Sequence, residues 1–340
     1  NRSDSLNEAW AVRLPFSNTY QLYRMDPEIE IQKSLTANYR DYLYGLFVLS
    51  NLKKLSVGMN RVILEADPYL RGSGMIPVYF STRTPLHFLL SLINRTFLSK
   101  KSEFDFILFN SSASLFKGGI LGVWLSRFYV SRHVPVFIYW HESEMAFDRM
   151  LQISPNRTKL IDNLVRNNQQ IEHLCVSEYC ADYIKKRYPH SRPIVIYNHA
   201  IIPERYTNLQ QQANVPKVIN VASIQHRKGT DLFVETAIKV CRRHESVIFT
   251  WLGTGPALEK WKSRVKLAGL EDRILFPGYI ENPFPALIES SIFFLSSRCD
   301  PMPLSVLESM CLGKTIFTFQ NGGAPEVLKD NCIIIPDFNT

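Results

Sequence analysis

The sequence has few of the features that mark membrane-spanning, disulfide-bonded or repeat proteins. Its longest apolar runs, such as residues 118–125 and 134–140, are far below the ~18 residues that a transmembrane helix needs. The six cysteines include no CxxC pair and mostly fall in apolar segments. We therefore expect reduced thiols, a cytoplasmic protein and no metal site. No short repeat and no low-complexity tract is present.

The opening of the chain lacks both a methionine and a signal-like segment. The chain begins at Asn1, from which we expect a leader or further residues outside this sequence. With 340 residues, 46% of them hydrophobic, it is long enough for two cores. The net charge of +8 favours anionic partners such as nucleotide diphosphates or acidic lipids. Nucleic acid is not expected, because basic and aromatic residues do not interleave along a strand.

Strand and helix patterns alternate along most of the chain. A helix is predicted over 39–55, strands over 61–66 and 76–80, and regular alternation follows from Phe104. Continuous apolar strands separated by helices predict an α/β fold with parallel sheets covered on both faces. The polar, non-periodic stretch after Asn198 predicts a linker. We therefore expect an amino-terminal domain over 1–200, a linker over 201–216 and a carboxyl-terminal domain over 217–340.

Two carboxylates are placed around a helix near the end of the chain. The apolar strand Ile292–Leu295 runs into a turn that contains Pro301 and Pro303. Asp300 lies in this turn, at the carboxyl end of a strand, where parallel sheets bind ligands. Glu308 lies about two turns into the following helix, at ~3.6 residues per turn. The alternative is an Asp that caps the helix and a solvated Glu.

A cationic turn follows the first strand of the predicted second domain. The strand 217–222 leads to Arg227, Lys228 and Gly229, next to the start of a helix. A cation at a helix amino end can stabilise a developing negative charge, which makes Lys228 a candidate catalytic residue. Arg227 beside it adds a guanidinium, a group that can bind phosphate oxygens two at a time. The alternative is a solvated cap on a surface loop.

In the first domain, the candidate for chemistry is His141. It directly follows the predicted strand 134–139 and so lies at the carboxyl end of a strand. Position favours function over the alternative, a histidine that caps the next helix.

These segments resemble the family-4 retaining glycosyltransferases of GT-B fold. Asp300-x7-Glu308 is similar to that family's acid-x7-Glu signature, with Asp for the commoner Glu. Residues 221–231 are similar to its Gly-Arg…Lys-Gly loop, with Ser223 in place of the Arg.

Shorter segments add to the resemblance. Gly253-x-Gly255 is similar to the family's glycine turn, and residues 276–280 to the segment that reads the nucleobase edge. Gly322-Gly323 with Glu326 closes the series, and Trp140-His141-Glu142-Ser143 is similar to the strand-end His motif.

The resemblance implies roles for these residues. Asp300 would hydrogen-bond the transferred sugar, and Glu308 would hold the ribose. Because Pro301 and Pro303 lack an N–H, the backbone donors facing the sugar and phosphates would follow the acid at three other positions. These are Met302, Leu304 and Ser305.

Lys228 would grip the diphosphate, while Gly255 and Tyr279 would lie beside the donor. Arg227 does not match the family's Arg, and we infer that it supplies the missing charge. His141 would orient the sugar or donate a hydrogen bond, with the departing phosphate oxygen taking the acceptor proton.

The resemblance further implies two Rossmann-like domains facing across a cleft. It implies a retaining, metal-independent hexosyltransferase that needs no cofactor besides its nucleotide-sugar donor. The acceptor would be a glycan or lipid-linked glycan in cell-surface polysaccharide synthesis, which would allow peripheral contact with the inner face of the membrane. Residues 86–101 would suit a basic helix on an anionic membrane, although a buried helix fits the pattern better.

Two departures from the family stand out. Residues 15–40 contain no glycine-rich loop, and the sequence ends at Thr340, before the family's tail helices. A non-catalytic nucleotide-sugar or carbohydrate-binding protein on the same fold is the alternative, favoured by Ser223 and Asp300. An epimerase or a phosphorylase is a third class, and no lysine context suggests the pyridoxal site of a phosphorylase.

Overall fold

Two parallel β-sheets organise the part of the chain that the structure describes. The structure, a computed structural model, describes residues 43–49, 75–81, 106–110, 133–153, 155–200, 202–207, 215–329 and 332–336. Within these ranges, twelve strands form two six-stranded sheets, and every described strand pair is parallel. The α/β fold expected from the sequence is confirmed.

The first sheet and its helices are called the amino-terminal half. Its strands run in the order β2-β1-β3-β4-β5-β6. They are β1 Leu43–Leu49, β2 Met75–Ser81, β3 Phe106–Asn110, β4 Val136–Trp140, β5 Ile171–Cys175 and β6 Ile194–Val195. The helices described here are α1 Glu144–Ile153, α2 Pro155–Arg166 and α3 Glu178–Arg187.

The second sheet and its helices are called the carboxyl-terminal half. A short helix, α4 Glu204–Thr207, precedes it. The strands are β7 Lys217–Val221, β8 Ile248–Leu252, β9 Ile274–Gly278, β10 Ile292–Leu295, β11 Thr315–Phe319 and β12 Ile333–Ile335, in the order β12-β11-β10-β7-β8-β9. The helices are α5 Thr230–Arg243, α6 Leu258–Leu267, α7 Phe284–Glu289, α8 Leu304–Cys311 and α9 Ala324–Leu328, and a 3-10 turn covers His226–Lys228.

Burial follows the apolar pattern of each element. All five residues of β4 are buried, as expected for an inner strand of a parallel sheet. Helix α5 buries one apolar face and exposes Lys239, Arg242 and Arg243 on the other. Phe233 on the buried face meets the rings of Phe249 and Trp251 edge-on, with centroids 5.5 and 5.2 Å away. Strand and helix thus share one core.

The two halves also share a core. Met302 and Leu307, from the loop and helix after β10, are 4% and 5% exposed and pack into the cluster formed by the amino-terminal half. The carboxyl ends of β4 and β5 therefore lie close to the loop that carries Asp300.

Some elements differ from the sequence-based predictions. Residues 43–49 form strand β1, so the predicted helix over 39–55 is wrong there. A short apolar run fits a strand and a helix equally well. The segment is a strand because it pairs with β2 and β3. Helix α1 has no counterpart among the predicted elements. The predictions over residues 15–40, 61–66 and 86–101 lie outside the described residues.

Candidate active site

The order of the second sheet creates a crevice between two adjacent strands. Read from β9, the order β9-β8-β7-β10-β11-β12 is that of a doubly wound Rossmann sheet. β7 and β10 are neighbours, while the following strands β8 and β11 lie on opposite sides of them. Loops that leave two such strands in opposite directions open a crevice at their carboxyl ends, where ligands bind in this class of sheet.

Lys228 and Asp300 meet at this crevice. Lys228 follows β7, Asp300 follows β10, and the Lys228 Nζ donates a hydrogen bond to Oδ2 of Asp300. The two side chains are only 14% and 10% exposed. Burial lowers the pKa of Lys228, the charge of Asp300 opposes this, and the charge of nearby Arg227 adds to the lowering. The site thus holds a partly desolvated cation beside an acid, so that each can act strongly on a bound ligand.

Close backbone contacts hold the turn that carries Lys228. Gly229 has φ +67°, and a Cβ there would lie 1.8 Å from the carbonyl oxygen of Ser296. The Ser296 Oγ donates to the Lys228 carbonyl at 3.1 Å and accepts from Asn220 Nδ2 at 3.2 Å. The ends of β7 and β10 are thereby tied together directly beneath Lys228.

Arg298 clamps the same turn from the other strand. Its guanidinium donates to both carboxylate oxygens of Asp231, at 2.7 and 2.5 Å, and to the carbonyl of His226 at 2.9 Å. Its backbone N–H donates to the carbonyl of Arg227 at 2.9 Å. Burial alone would raise the pKa of Asp231, but the hydrogen bonds and charge of Arg298 outweigh it and lower that pKa. Arg298 therefore shapes the loop and is already engaged by Asp231.

Sequence reasoning missed these supporting residues. Asn220 is fully buried, and a polar residue inside the apolar strand β7 was the available signal. Arg298 lies between the strand and Asp300 and had no signal of its own, because its partners come from a distant segment.

Glu308 lies on the helix that begins just after Asp300. Helix α8 starts at Leu304, and its carboxylate-bearing second turn is buried, with Glu308 3% exposed. Among the described residues no side chain caps the start of α8, where Pro303 is the N-cap. The N–H groups of Leu304 and Ser305 lie in this first turn, as the sequence predicted for backbone donors.

The other predicted donor-binding residues are spread over the same edge of the sheet. Met302 turns its side chain into the amino-terminal core. Gly255 packs on the loop after β7, where a Cβ would lie 2.1 Å from the Ile224 carbonyl oxygen. Tyr279 is 58% exposed and follows β9, two strands from β7. The structure brings Lys228, Arg227 and Asp300 together, while Tyr279 lies farther along the edge.

His141 follows β4 in the other sheet and is held by its neighbours. Its Nε2 lies 2.9 Å from Oδ1 of Asn110 at the end of β3, and its ring lies against that of Tyr139 with centroids 4.4 Å apart. Burial lowers the pKa of His141 to about 3. The ring is therefore neutral near pH 7, with Nε2–H donating to Asn110 and Nδ1 left as an acceptor.

A short chain of contacts links this side to the loop after β10. The Tyr139 hydroxyl donates to the Ile196 carbonyl at 2.7 Å and reaches Asn198 Oδ1 at 3.5 Å. Asn198 Nδ2 donates to the carbonyl of Met302 at 3.0 Å. The residues that surround His141 and the loop that carries Asp300 are thus mechanically connected.

The described ranges contain neither a cluster of metal-ligating side chains nor a membrane-spanning helix. No three His, Cys, Asp or Glu side chains gather there as metal ligands. None of the described helices has the length and hydrophobicity required to traverse a bilayer.

Part of the chain is similar to known sugar-transferring proteins. Residues 205–339 match the family described as glycosyl transferases group 1. A phosphatidylinositol N-acetylglucosaminyltransferase subunit of Arabidopsis thaliana is 26% identical over 132 residues, which are 38% of this chain and 30% of the relative. The lipopolysaccharide core biosynthesis mannosyltransferase LpsB of Rhizobium meliloti (strain 1021) is 34% identical over 110 residues, 31% of each chain. The chain spans about a third of the length of these relatives.

A solved structure resembles almost the whole chain. Anabaena Alr3699/HepE, crystallised with UDP and glucose, aligns over 88% of this chain and 87% of its own, with a TM-score of 0.64 and 17% identity. At that identity the likeness concerns the fold. The chain thus has the α/β GT-B fold, and its carboxyl-terminal part, residues 205–339, matches the group 1 glycosyl transferases.

Proposed function

We propose that the protein is a retaining glycosyltransferase of family 4. It would move a hexose from a nucleotide-diphosphate sugar to a glycan or lipid-linked glycan during cell-surface polysaccharide synthesis. The observation that carries the proposal is the Lys228–Asp300 pair at the β7/β10 crevice, with Glu308 buried on the next helix. The names of the matched relatives, a phosphatidylinositol N-acetylglucosaminyltransferase and a lipopolysaccharide core mannosyltransferase, support a sugar donor and a lipid-bearing acceptor.

The pair supplies both charges that the donor requires. When a donor enters, Lys228 exchanges Asp300 for the diphosphate and stabilises the negative charge that develops as the sugar–phosphate bond breaks. Asp300 is then released to accept from sugar hydroxyls. Lys228 thereby does the work that a metal ion does in other transferases, so we propose that turnover is metal-independent. Chelation by EDTA should leave the rate unchanged.

The neutral His141 fits front-face attack. A histidine with a pKa of about 3 is too weak a base to take the acceptor proton near pH 7. The departing phosphate oxygen takes that proton instead, and the acceptor attacks on the face that the phosphate leaves. His141 Nδ1 accepts a hydrogen bond from a sugar hydroxyl and so holds the sugar ring in place.

A donor panel tests the proposal. UDP-, GDP- and ADP-hexoses are incubated with the protein and candidate acceptors, and released nucleotide is measured. We expect one donor class to turn over, with losses of at least tenfold in Lys228→Ala and Glu308→Ala, since a hydrogen bond to a charged group contributes ~1.5–3 kcal/mol. NMR of the product's anomeric proton should show the configuration of the donor. Inversion would contradict the retaining assignment.

The second candidate is a non-catalytic nucleotide-sugar-binding protein. Ser223, which replaces a phosphate-binding Arg in the resembled loop, favours it. Tight donor binding without nucleotide release, over all donors and acceptors, would select this function over transfer.

A peripheral membrane contact, which we propose from the basic charge and lipid-bearing acceptor, is tested by sedimentation with anionic vesicles.

A further inference from the structure

One carboxylate joins the two halves of the molecule. Glu326, on α9 of the carboxyl-terminal half, accepts from the N–H of Tyr179 at 2.7 Å and from the N–H of Glu178 at 2.8 Å. These are the first N–H groups of α3, and the next, that of Cys180, is capped by Ser177 Oγ at 3.1 Å. A carboxylate at a helix amino end gains from both hydrogen bonds and the helix dipole.

The turn that precedes α9 contacts the backbone of Asp300. Gly322 and Gly323 immediately precede α9, and the Gly323 N–H donates to the carbonyl of Asp300 at 3.0 Å. A Cβ at Gly322 would lie 2.5 Å from that oxygen, and one at Gly323 would lie 1.7 Å from the carbonyl oxygen of Pro301. The glycine turn thus lies against the backbone of Asp300. Glu326 follows it by about one helical turn.

Two weaker contacts join the same segments. The Tyr179 hydroxyl lies 3.2 Å from Cys299 Sγ, and Asn198 Nδ2 binds the Met302 carbonyl at 3.0 Å. Residues 299–302 are therefore held from the amino-terminal half on both sides of Asp300. Glu326 is the contact among these that carries a full charge.

We propose that Glu326 is a positioning residue that makes the placement of Asp300 depend on the docking of the amino-terminal half. It acts through the glycine turn and touches neither donor nor acceptor. The amino-terminal half is the proposed acceptor side. Glu326 would therefore place Asp300 correctly for transfer only when the two halves are docked. This inference rests on the proposed transfer function and concerns the step after donor binding.

The test compares Glu326→Ala and Glu326→Gln with Glu289→Ala, a matched control whose carboxylate pairs with Lys217 on the surface of the same half. Glutamine keeps the shape but sets an amide N–H2 against one of the two N–H donors. We expect both Glu326 variants to keep the nucleoside diphosphate Kd within twofold. Transfer kcat should fall roughly tenfold to hundredfold, the loss that a ~1 Å misplacement produces.

Hydrogen exchange supplies a readout that needs no turnover. The amides of Glu178 and Tyr179 should exchange faster in both Glu326 variants and at an unchanged rate in Glu289→Ala. Unchanged exchange together with unchanged kcat would overturn the inference. A loss of diphosphate affinity equal to the loss in kcat would also overturn it, since Glu326 would then act on donor binding. If the wild-type protein turned over no donor, the proposed function would fail while the exchange result still decided whether Glu326 joins the halves.

Discussion

Burial keeps the His141 ring neutral, which bears on the role that we propose for it. With a pKa of about 3, the ring is neutral near pH 7. Its Nε2 lies 2.9 Å from Asn110 Oδ1, so Nδ1 is the ring nitrogen that this contact does not use. The resemblance implied that His141 orients the sugar or donates a hydrogen bond; we propose that it accepts one through Nδ1.

The pH profile of transfer tests this role. Because His141 does not titrate near neutral pH in the folded protein, kcat/KM of wild type should show no step near the ordinary histidine pKa of ~6.5 that His141→Asn removes. The variant should be slower at every pH by a similar factor. A wild-type step in that range that is lost in His141→Asn would instead make His141 a general base.

The loop after β7 lacks the arginine that the resembled family has there. Ser223 stands where the resembled family has Arg, and Arg298 is engaged by Asp231, so Arg227 is the remaining cation of the described loop besides Lys228. Arg227→Ala should weaken nucleoside diphosphate binding about tenfold, as expected for a charged hydrogen bond of ~1.5 kcal/mol. Binding of the nucleoside alone should not change.

Restoring the family's residue provides the control. Adding Ser223→Arg to Arg227→Ala should recover most of the diphosphate affinity, measured by calorimetry. If Arg227→Ala bound both ligands like wild type, the second cation would have to come from elsewhere.

At the scale of elements, the turn at Gly229 determines where Lys228 points. The turn needs the left-handed φ of +67°, and it also needs an absent Cβ, because Ser296 fills that space. Gly269 has a nearly equal φ of +65° but open space around it. Substitutions at the two glycines can therefore be compared to separate the cost of backbone strain from the cost of a steric clash.

We expect Gly229→Ala to destabilise the protein more than Gly269→Ala. In Gly269→Ala, the control, the free energy of unfolding should fall by ~1 kcal/mol, the cost of the left-handed conformation for an L-residue. Gly229→Ala should add a clash with the Ser296 carbonyl and should also weaken nucleoside diphosphate binding. Urea denaturation and calorimetry measure the two effects. Equal losses in both variants would show that Ser296 yields without consequence.

The elements of the carboxyl-terminal half were easier to predict than those of the amino-terminal half. Strand β10 lies where the sequence placed it, since it is a short, largely buried run between turn residues. The β1 segment has a similar apolar composition but no nearby turn signal, so periodicity could not separate strand from helix. Helix α1, which buries Phe147, was not predicted.

At the scale of the whole molecule, buried histidines make stability depend on pH. His173 is 2% exposed and accepts from Trp140 Nε1 at 2.9 Å through Nδ1. Burial, with a smaller contribution from the charge of His190, lowers the pKa of His173 from 6.5 to about 4. The unfolded chain therefore binds more protons between these two values, and stability is lost as pH falls from about 6.5 towards 4.

The expected size of this loss is about 3 kcal/mol for His173, because one pKa unit corresponds to ~1.4 kcal/mol. His173→Asn keeps an acceptor for Trp140 but removes the titration. The variant should be less stable at neutral pH yet lose less stability between pH 6.5 and 4, measured by urea denaturation. Parallel pH curves for the two proteins would contradict this account.

The site was predictable only in part, because it is assembled from distant segments. Apolar strands followed by Lys228 and Asp300 predicted that both lie at carboxyl ends of parallel strands. The sequence could not show that β7 and β10 are neighbours, because strand order depends on the packing of the whole sheet. The contacts of Arg298 and Glu326 were equally hidden, since their partners lie far away in the chain.

Calorimetric titration with UDP, GDP and ADP tests the central claim most directly. Wild type is compared with Lys228→Ala and with Lys217→Ala, whose lysine lies at the opposite, amino end of β7. At least one diphosphate should bind wild type and Lys217→Ala equally, and bind Lys228→Ala about tenfold or more weakly, since ~1.4 kcal/mol is a factor of ten. Equal affinity in all three proteins would show that the diphosphate does not occupy the crevice between β7 and β10.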